Sequence, residues 1–454
     1  RSVKLAETIA RTDPFESYAR SVNPQFVRVL RTIGFDRRWT RAEGPYLWDE
    51  GGARYLDFFG GYGMFNLGRN NRAVRDVLVE ALGLDTPGSV QMGVNALPGA
   101  LADELLRLLP PRLGKVMFTS SGTEAVEAAI KMARGATRRP RVLSLEHAFH
   151  GLTLGSLSIN GCPEFTEPFG ELMPGFDRVP LNDLDALERE LRREDVAVFV
   201  VEPIQGKGVN IPDDGYLPGA QELCRRYGTL FCCDEVQTGL GRTGTMFAFE
   251  HWGLEPDMVT IAKSLSGGYV PSGALCLRTE DLLAVFDSME HAVLHGSTFA
   301  PNDLAMAAGL ATLAELDDAG LVERSRATGE RLLDATRPLV ERYDVVRDVR
   351  GMGLMWAIEF AEPERGSRAW RALERAQAGI FAQFVVVPLF AEHRILTQVA
   401  GHSVNVVKGL PPLVLSEEDV DEFAGALDSV LQEAERIPRA AARFALRLGA
   451  AALR

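Results

Sequence analysis

The sequence is poor in cysteine. Five occur among 454 residues, at 162, 224, 232, 233 and 276. The count is odd, two are adjacent within an apolar run, and no CxxC pair exists. That argues against a disulfide framework or a structural zinc site and suits reduced thiols in a core. Positive charge is outnumbered, with 49 Lys and Arg against 62 Asp and Glu. The formal net charge of −13 argues against a general nucleic-acid binder, which needs a basic face for phosphates. No apolar stretch approaches the roughly 18 residues of a membrane span. The opening residues, RSVKLAETIARTD, contain no apolar signal core. Internal repeats and low-complexity linkers are missing as well. What remains is an ordinary globular composition, 46% hydrophobic and 24% charged, expected in the cytoplasm.

From about residue 114, short apolar runs alternate with amphipathic segments. The runs are 115–120, 141–145, 196–201, 230–234, 258–262 and 273–277, and helical patterns cover 123–134 and 217–228. Runs this apolar and short read as strands buried on both faces, and their alternation with helices implies an α/β fold around a mostly parallel sheet. Ligands of such sheets collect beyond the carboxyl ends of the strands. The expected division is an N-terminal segment (1–70), a large domain (71–305), a smaller α+β domain (306–435) and a basic tail (436–454).

Two of the runs end in groups that are costly to bury alone. FCCDEVQTGLGRTG (231–244) places Asp234 just after a strand, and AKSLSGG (262–268) places Lys263 after the next. A desolvated lysine loses proton affinity and becomes a nucleophile for Schiff-base chemistry. Pyridoxal phosphate uses both groups: an amine for its aldehyde and a carboxylate for its pyridine nitrogen. Its phosphate needs an anion site. Ser121, Gly122 and Thr123, at a strand-to-helix junction, supply free N–H groups and a helix dipole. In EHAFHG (146–151), Phe149 is the candidate to cover one face of a ring.

Together with YLDFFGGYGMFNLG, VEPIQG, GSTF and RGMGLMWAIEF, these stretches run in order from about residue 44 to 360, and GLPPL near 409–413 extends them. The sequence resembles a class III pyridoxal-phosphate-dependent aminotransferase of the ornithine, acetylornithine and putrescine group. The resemblance implies fold type I and pyridoxal 5′-phosphate as cofactor. It implies Lys263 as the Schiff-base lysine and Asp234 as partner of the ring nitrogen. Gln237 would bind the ring hydroxyl, Val236 would pack opposite Phe149, and Ser121, Gly122 and Thr123 would hold the phosphate. Glu202 would anchor the site, and Tyr62 would line the substrate entrance. Thr298 would reach the neighbouring subunit's phosphate, making the active unit a homodimer.

The departures from the family pattern concern the substrate. The family loop reads EPIQGEGG or EPIQGEAG; here Lys207 replaces the glutamate. In ornithine-type members that glutamate pairs with a mobile arginine, whose position Lys408 takes. NLGRNNR and TFAPND also depart from NLGHNHP and TFGGNP. A lysine is a point charge rather than a planar fork. The expectation is therefore a small-molecule amino donor and a carbonyl acceptor on a larger, less polar molecule, such as a hopanoid-type lipid or a secondary-metabolite intermediate. The standing alternatives are an ornithine- or putrescine-type enzyme, a racemase, epimerase or mutase on the same fold, and a non-catalytic binding protein. In the tail 437–454, arginines at 439, 443, 447 and 454 share a helical face, which suggests peripheral contact with an anionic membrane.

Overall fold

The computed structural model describes residues 4–88, 92–364, 367–401, 404–439 and 441. The chain opens with short helices and then a meander of β1 (Trp39–Glu43), β2 (Tyr46–Asp49) and β3 (Arg54–Asp57). Seven strands follow in one sheet: β4 (Leu113–Thr119), β5 (Arg141–Leu145), β6 (Phe176–Val179), β7 (Val196–Val201), β8 (Leu230–Asp234), β9 (Met258–Ile261) and β10 (Gly273–Arg278). Their order is β4-β10-β9-β8-β7-β5-β6, and only β10 runs against its neighbours. All six apolar runs are strands of this mostly parallel sheet. The seventh strand, β6, escaped notice because FDRV is a four-residue edge strand without a continuous apolar run.

The remaining strands are β11 (Val346–Met352), β12 (Met355–Phe360), β13 (Ile395–Leu396), β14 (Gln398–Val399) and β15 (Val406–Gly409). A second, antiparallel sheet has the order β11-β12-β15-β14. The short β13 instead joins the N-terminal meander by pairing in parallel with β3.

The apolar runs bury both faces. In β7 every residue is buried. Phe199 and Val201 join one core cluster while Val198 and Val200 join the other, the period-two alternation of a central strand. Helix Gly122–Thr137 lies on the second face through Val126, Ala129, Ile130 and Ala133, an i, i+3, i+4, i+7 stripe. Burying each Val or Phe contributes about 1.5–3 kcal/mol. The sheet is thereby a rigid mount, and the carboxyl ends of β4, β5, β7, β8 and β9 all open at one edge.

Candidate active site

Asp234 closes β8 at this edge and is 4% exposed. Its carboxylate accepts three hydrogen bonds. Oδ1 takes the Thr260 hydroxyl (3.0 Å) and the Val236 N–H (3.1 Å). Oδ2 takes the Nδ1 of His150 (2.7 Å). Thr260 is where it is because β9 sets it directly across from Asp234 in the parallel ladder. His150 is buried, and its amide is fixed by the Asn160 side chain at 2.7 Å. Burial alone would lower the imidazole's proton affinity. The hydrogen bond and charge of Asp234, with the charge of Glu202, override it and hold His150 above its ordinary pKa. Its other ring nitrogen, Nε2, is buried without a hydrogen-bond partner among the described residues.

Lys263 follows β9 by two residues and opens a 3-10 turn over Lys263–Ser266. Its φ is +43°, a left-handed conformation that costs a non-glycine residue energy and turns the side chain out of the strand direction. Burial pushes its amine below the ordinary lysine range, against the opposing charges of Asp234 and Glu202. Neighbouring strands thus deliver a carboxylate and a desolvated amine to one place. Gly122 stands where a Cβ would meet Val236 Cγ1 at 3.0 Å and the Cβ of Ala262 at 3.2 Å. Three chain segments, the helix start, the turn after β8 and the end of β9, therefore close together around a position where a Cβ would crowd its neighbours.

Glu202, one residue beyond β7, is buried and braces two backbone segments. Its Oε2 accepts the Phe149 N–H (3.0 Å) and its Oε1 the Gly206 N–H (2.8 Å). Burial raises its pKa, opposed by His150 and by these two N–H groups. Phe149 is half-buried beside this carboxylate.

At the helix start, the Ser121 hydroxyl accepts the Glu124 N–H (3.3 Å), an N-cap that leaves the first backbone N–H groups pointing outward. The Thr123 hydroxyl contacts those of Thr153 (2.7 Å) and Ser156 (2.6 Å). The Gln237 amide donates from Nε2 to the Tyr62 carbonyl (3.1 Å). Tyr62 is exposed, has φ +61°, and sets its ring edge-on to Phe59 at 4.5 Å. Thr298 is exposed in the turn after Ser297, whose hydroxyl lies 3.5 Å from that of Ser120.

The two lysines that depart from the family pattern lie near this edge, in different surroundings. Lys408 sits within β15, paired across to Ala357 and Gln398, and is 4% exposed. Its Nζ donates to the Gly206 carbonyl (2.6 Å) and, more weakly, to Gln237 Oε1 (3.4 Å). Burial, reinforced by the charge of Lys263 and also by Lys207 and Arg242, pushes its pKa down to about 7 against the pull of Glu202. Lys207 does not point to solvent; its side chain is 16% exposed and its Nζ forms an ion pair with Glu164.

His150, Thr260 and Asn160 were not singled out from the sequence. His150 was visible in EHAFHG, one place from Phe149. Thr260 could be found only by aligning two strands in register. The tail proposed for membrane contact, beyond 437–439 and 441, lies outside the described residues. Among the described residues no helix is long and apolar enough to cross a membrane, and no cluster of His, Cys, Asp and Glu suits a metal. All five cysteines are buried and unpaired.

Comparison with known proteins places this geometry. The family described as aminotransferase class-III matches over residues 33–431. The aminotransferase PigE of a Serratia species is 34% identical over 94% of this chain and 54% of its own, so the chain spans about half that relative's length. The putrescine aminotransferase of Pectobacterium atrosepticum is 41% identical over 76% of each chain. Among solved structures, the ornithine aminotransferase of Toxoplasma gondii superposes with a TM-score of 0.82 at 28% identity, covering 96% of this chain and 100% of that one. An amine transaminase from an uncultivated Pseudomonas species, in its pyridoxal-phosphate-bound form, gives 0.77 at 29% identity over 87% of this chain and 94% of its own.

Proposed function

Because the chain belongs to the class-III aminotransferase family, whose cofactor is pyridoxal 5′-phosphate, we propose that it transfers an amino group from an amino-acid or amine donor to an aldehyde or ketone acceptor. The observation that carries this reading is the placement of the buried Asp234 and the half-buried Lys263 at the carboxyl ends of adjacent parallel strands, close enough for the carboxylate's charge to act on the amine.

The residues fit the cofactor. An amine with lowered proton affinity faces the space beside a hydrogen-bonded carboxylate. Gly122 leaves room where a side chain would stand, and a 16-residue helix begins there. When bound, the cofactor supplies an aldehyde that condenses with amines and a ring that withdraws electrons from the substrate carbon. The chain's own groups do the rest. Lys263 Nζ would hold the aldehyde until the donor amine takes its place and, so freed, would carry the proton from the substrate carbon to the former aldehyde carbon. Asp234, held in place by His150, Thr260 and the Val236 N–H, would face the ring nitrogen. Phe149 and Val236 flank the ring, and Gln237 meets its hydroxyl. Ser121, Gly122 and Thr123 receive the phosphate at the helix N-terminus. Glu202 ties Phe149 and Gly206 to the same frame. Thr298 completes the phosphate site of a second subunit in a homodimer, and Tyr62 stands at the entrance.

The acceptor is a carbonyl on a larger, less polar molecule, because Lys207 and Lys408 cannot form a planar carboxylate clamp. A putrescine-type reaction is the second reading, favoured by the 41% identity to a protein of that name. Incubating the cofactor-loaded protein with a donor panel in the absence of acceptor tests the class of reaction. One equivalent of carbonyl product per site is expected; a racemase or mutase would release none. Fast turnover of ornithine or putrescine with 2-oxoglutarate would remove the less polar acceptor.

A further inference from the structure

The position of Lys207 is set by groups outside the cofactor site. Its backbone lies in a pinned loop. The Gln205 N–H donates to the Asn210 carbonyl (3.1 Å), and Asn210 Nδ2 to Gln205 Oε1 (2.9 Å). Gln205 Nε2 reaches the Glu146 carbonyl (2.7 Å). From β11, the Arg350 guanidinium donates to the carbonyls of Gly208 (2.6 Å) and Val209 (2.9 Å). With the backbone fastened from both sides, only side-chain rotation can aim Lys207. Its ammonium pairs with Glu164 and lies 4.7 Å from the centroid of the Phe165 ring. Phe165 meets Phe149 edge-on, with centroids 5.3 Å apart and planes at 66°. Rotation toward Lys408 would give up the ion pair and the cation–π contact, and would bring two cations together.

We propose that Glu164 and Phe165 are specificity-determining residues, holding the Lys207 charge away from the substrate so that the Phe165–Phe149 wall receives an uncharged, apolar distal group rather than a second carboxylate. This rests on the amino-transfer reading above and adds the residues that select its substrate. The sequence places Glu164 and Phe165 in the short helix Pro163–Thr166, between β5 and β6, with nothing in their spacing to link them to residue 207. Lys408, the other lysine that departs from the family pattern, is committed to the Gly206 carbonyl, so neither of these two lysines stands unpaired for a distal carboxylate.

The test compares glutarate and pentanoate, two unreactive acids of equal length, as ligands of the cofactor-loaded protein by calorimetry. The wild type is expected to bind them within about twofold of one another. Glu164→Gln releases the Lys207 charge and is expected to improve glutarate binding about fivefold, a difference of about 1 kcal/mol, with pentanoate unchanged. Adding Lys207→Met to that variant should cancel the gain. A wild-type preference for glutarate of about tenfold or more, or a gain that persists in the double variant, overturns the proposal. In a second arm, Phe165→Ala should raise KM for a long-chain alkyl amine about tenfold while kcat stays within about twofold, the effect of losing an aromatic wall. An unchanged KM overturns the aromatic half. Should no donor yield a carbonyl product, the amino-transfer reading fails, and the binding arm still decides this one.

Discussion

The two walls of this site, proposed above to face cofactor and substrate, handle charge in opposite ways. On the cofactor wall, the carboxylates of Asp234 and Glu202 are answered by N–H and O–H donors from four segments, with the imidazole of His150 joining them. On the substrate wall, two cations stand close enough to influence one another. Lys408 has only carbonyl oxygens for partners, and Lys207 finds its carboxylate on the outer side, in Glu164. The first arrangement fixes a charged group for use. The second removes charge from the cleft. On the proposed reading, a site built this way would bind its cofactor through electrostatics and select its substrate by shape and polarity.

The largest break in the comparison comes from the cofactor wall. Lys263→Ala should lower turnover by at least about 10²–10⁴-fold, the range of a lost acid–base group. It should also abolish covalent retention of the cofactor after borohydride reduction, read by mass spectrometry of the intact chain. A smaller effect is expected from His150→Asn, which removes one charge-assisted hydrogen bond to Asp234. The loss should be on the order of tenfold. The imidazole is held protonated above its usual range, so wild-type activity should fall on the alkaline side as His150 loses its proton. A pH–rate profile of the variant should lack that limb; an unchanged profile would make His150 merely a packing residue.

The substrate wall gives the smallest signal, and it appears in stability. The Lys408 amine has a pKa of about 7 in the folded chain against 10.5 for an ordinary lysine. Between these values the unfolded chain binds more protons, so this group's contribution to stability grows as pH rises and is lost as pH falls through about 7. Relative to Lys408→Met, the wild type should therefore gain on the order of 1–2 kcal/mol between pH 7 and pH 9 in urea denaturation. A constant difference across that range would mean that Lys408 remains charged.

Much of the fold was readable because its strands are local statements. A run such as VAVFVV buries both faces wherever it lies, and a carboxylate or amine at its end marks the ligand edge. Asp234 ends a strand in this way, and Glu202 and Lys263 follow one by one and two residues. Less was readable where a role depends on a remote partner. Lys207 is conspicuous in its loop, yet its meaning comes from Glu164 and Phe165, 43 and 42 positions earlier in the chain, on a four-residue helix without a pattern of its own. Lys408 is likewise defined by a carbonyl 202 positions away. Edge strand β6 was missed for a related reason: its half-exposed residues carry no period strong enough to show.

The carboxylate of Asp234 can also be counted by valence. An ionised carboxylate offers about four lone-pair directions. Thr260 and Val236 fill both on Oδ1, and His150 takes one on Oδ2. Among the described residues, one lone-pair direction on Oδ2 receives no donor bond from the chain. It can be satisfied only by a donor, since a bare nitrogen would set lone pair against lone pair. On the proposed reading, the geometry around one side chain would act as a tautomer filter: a ring docked beside Asp234 would have to present an N–H to it.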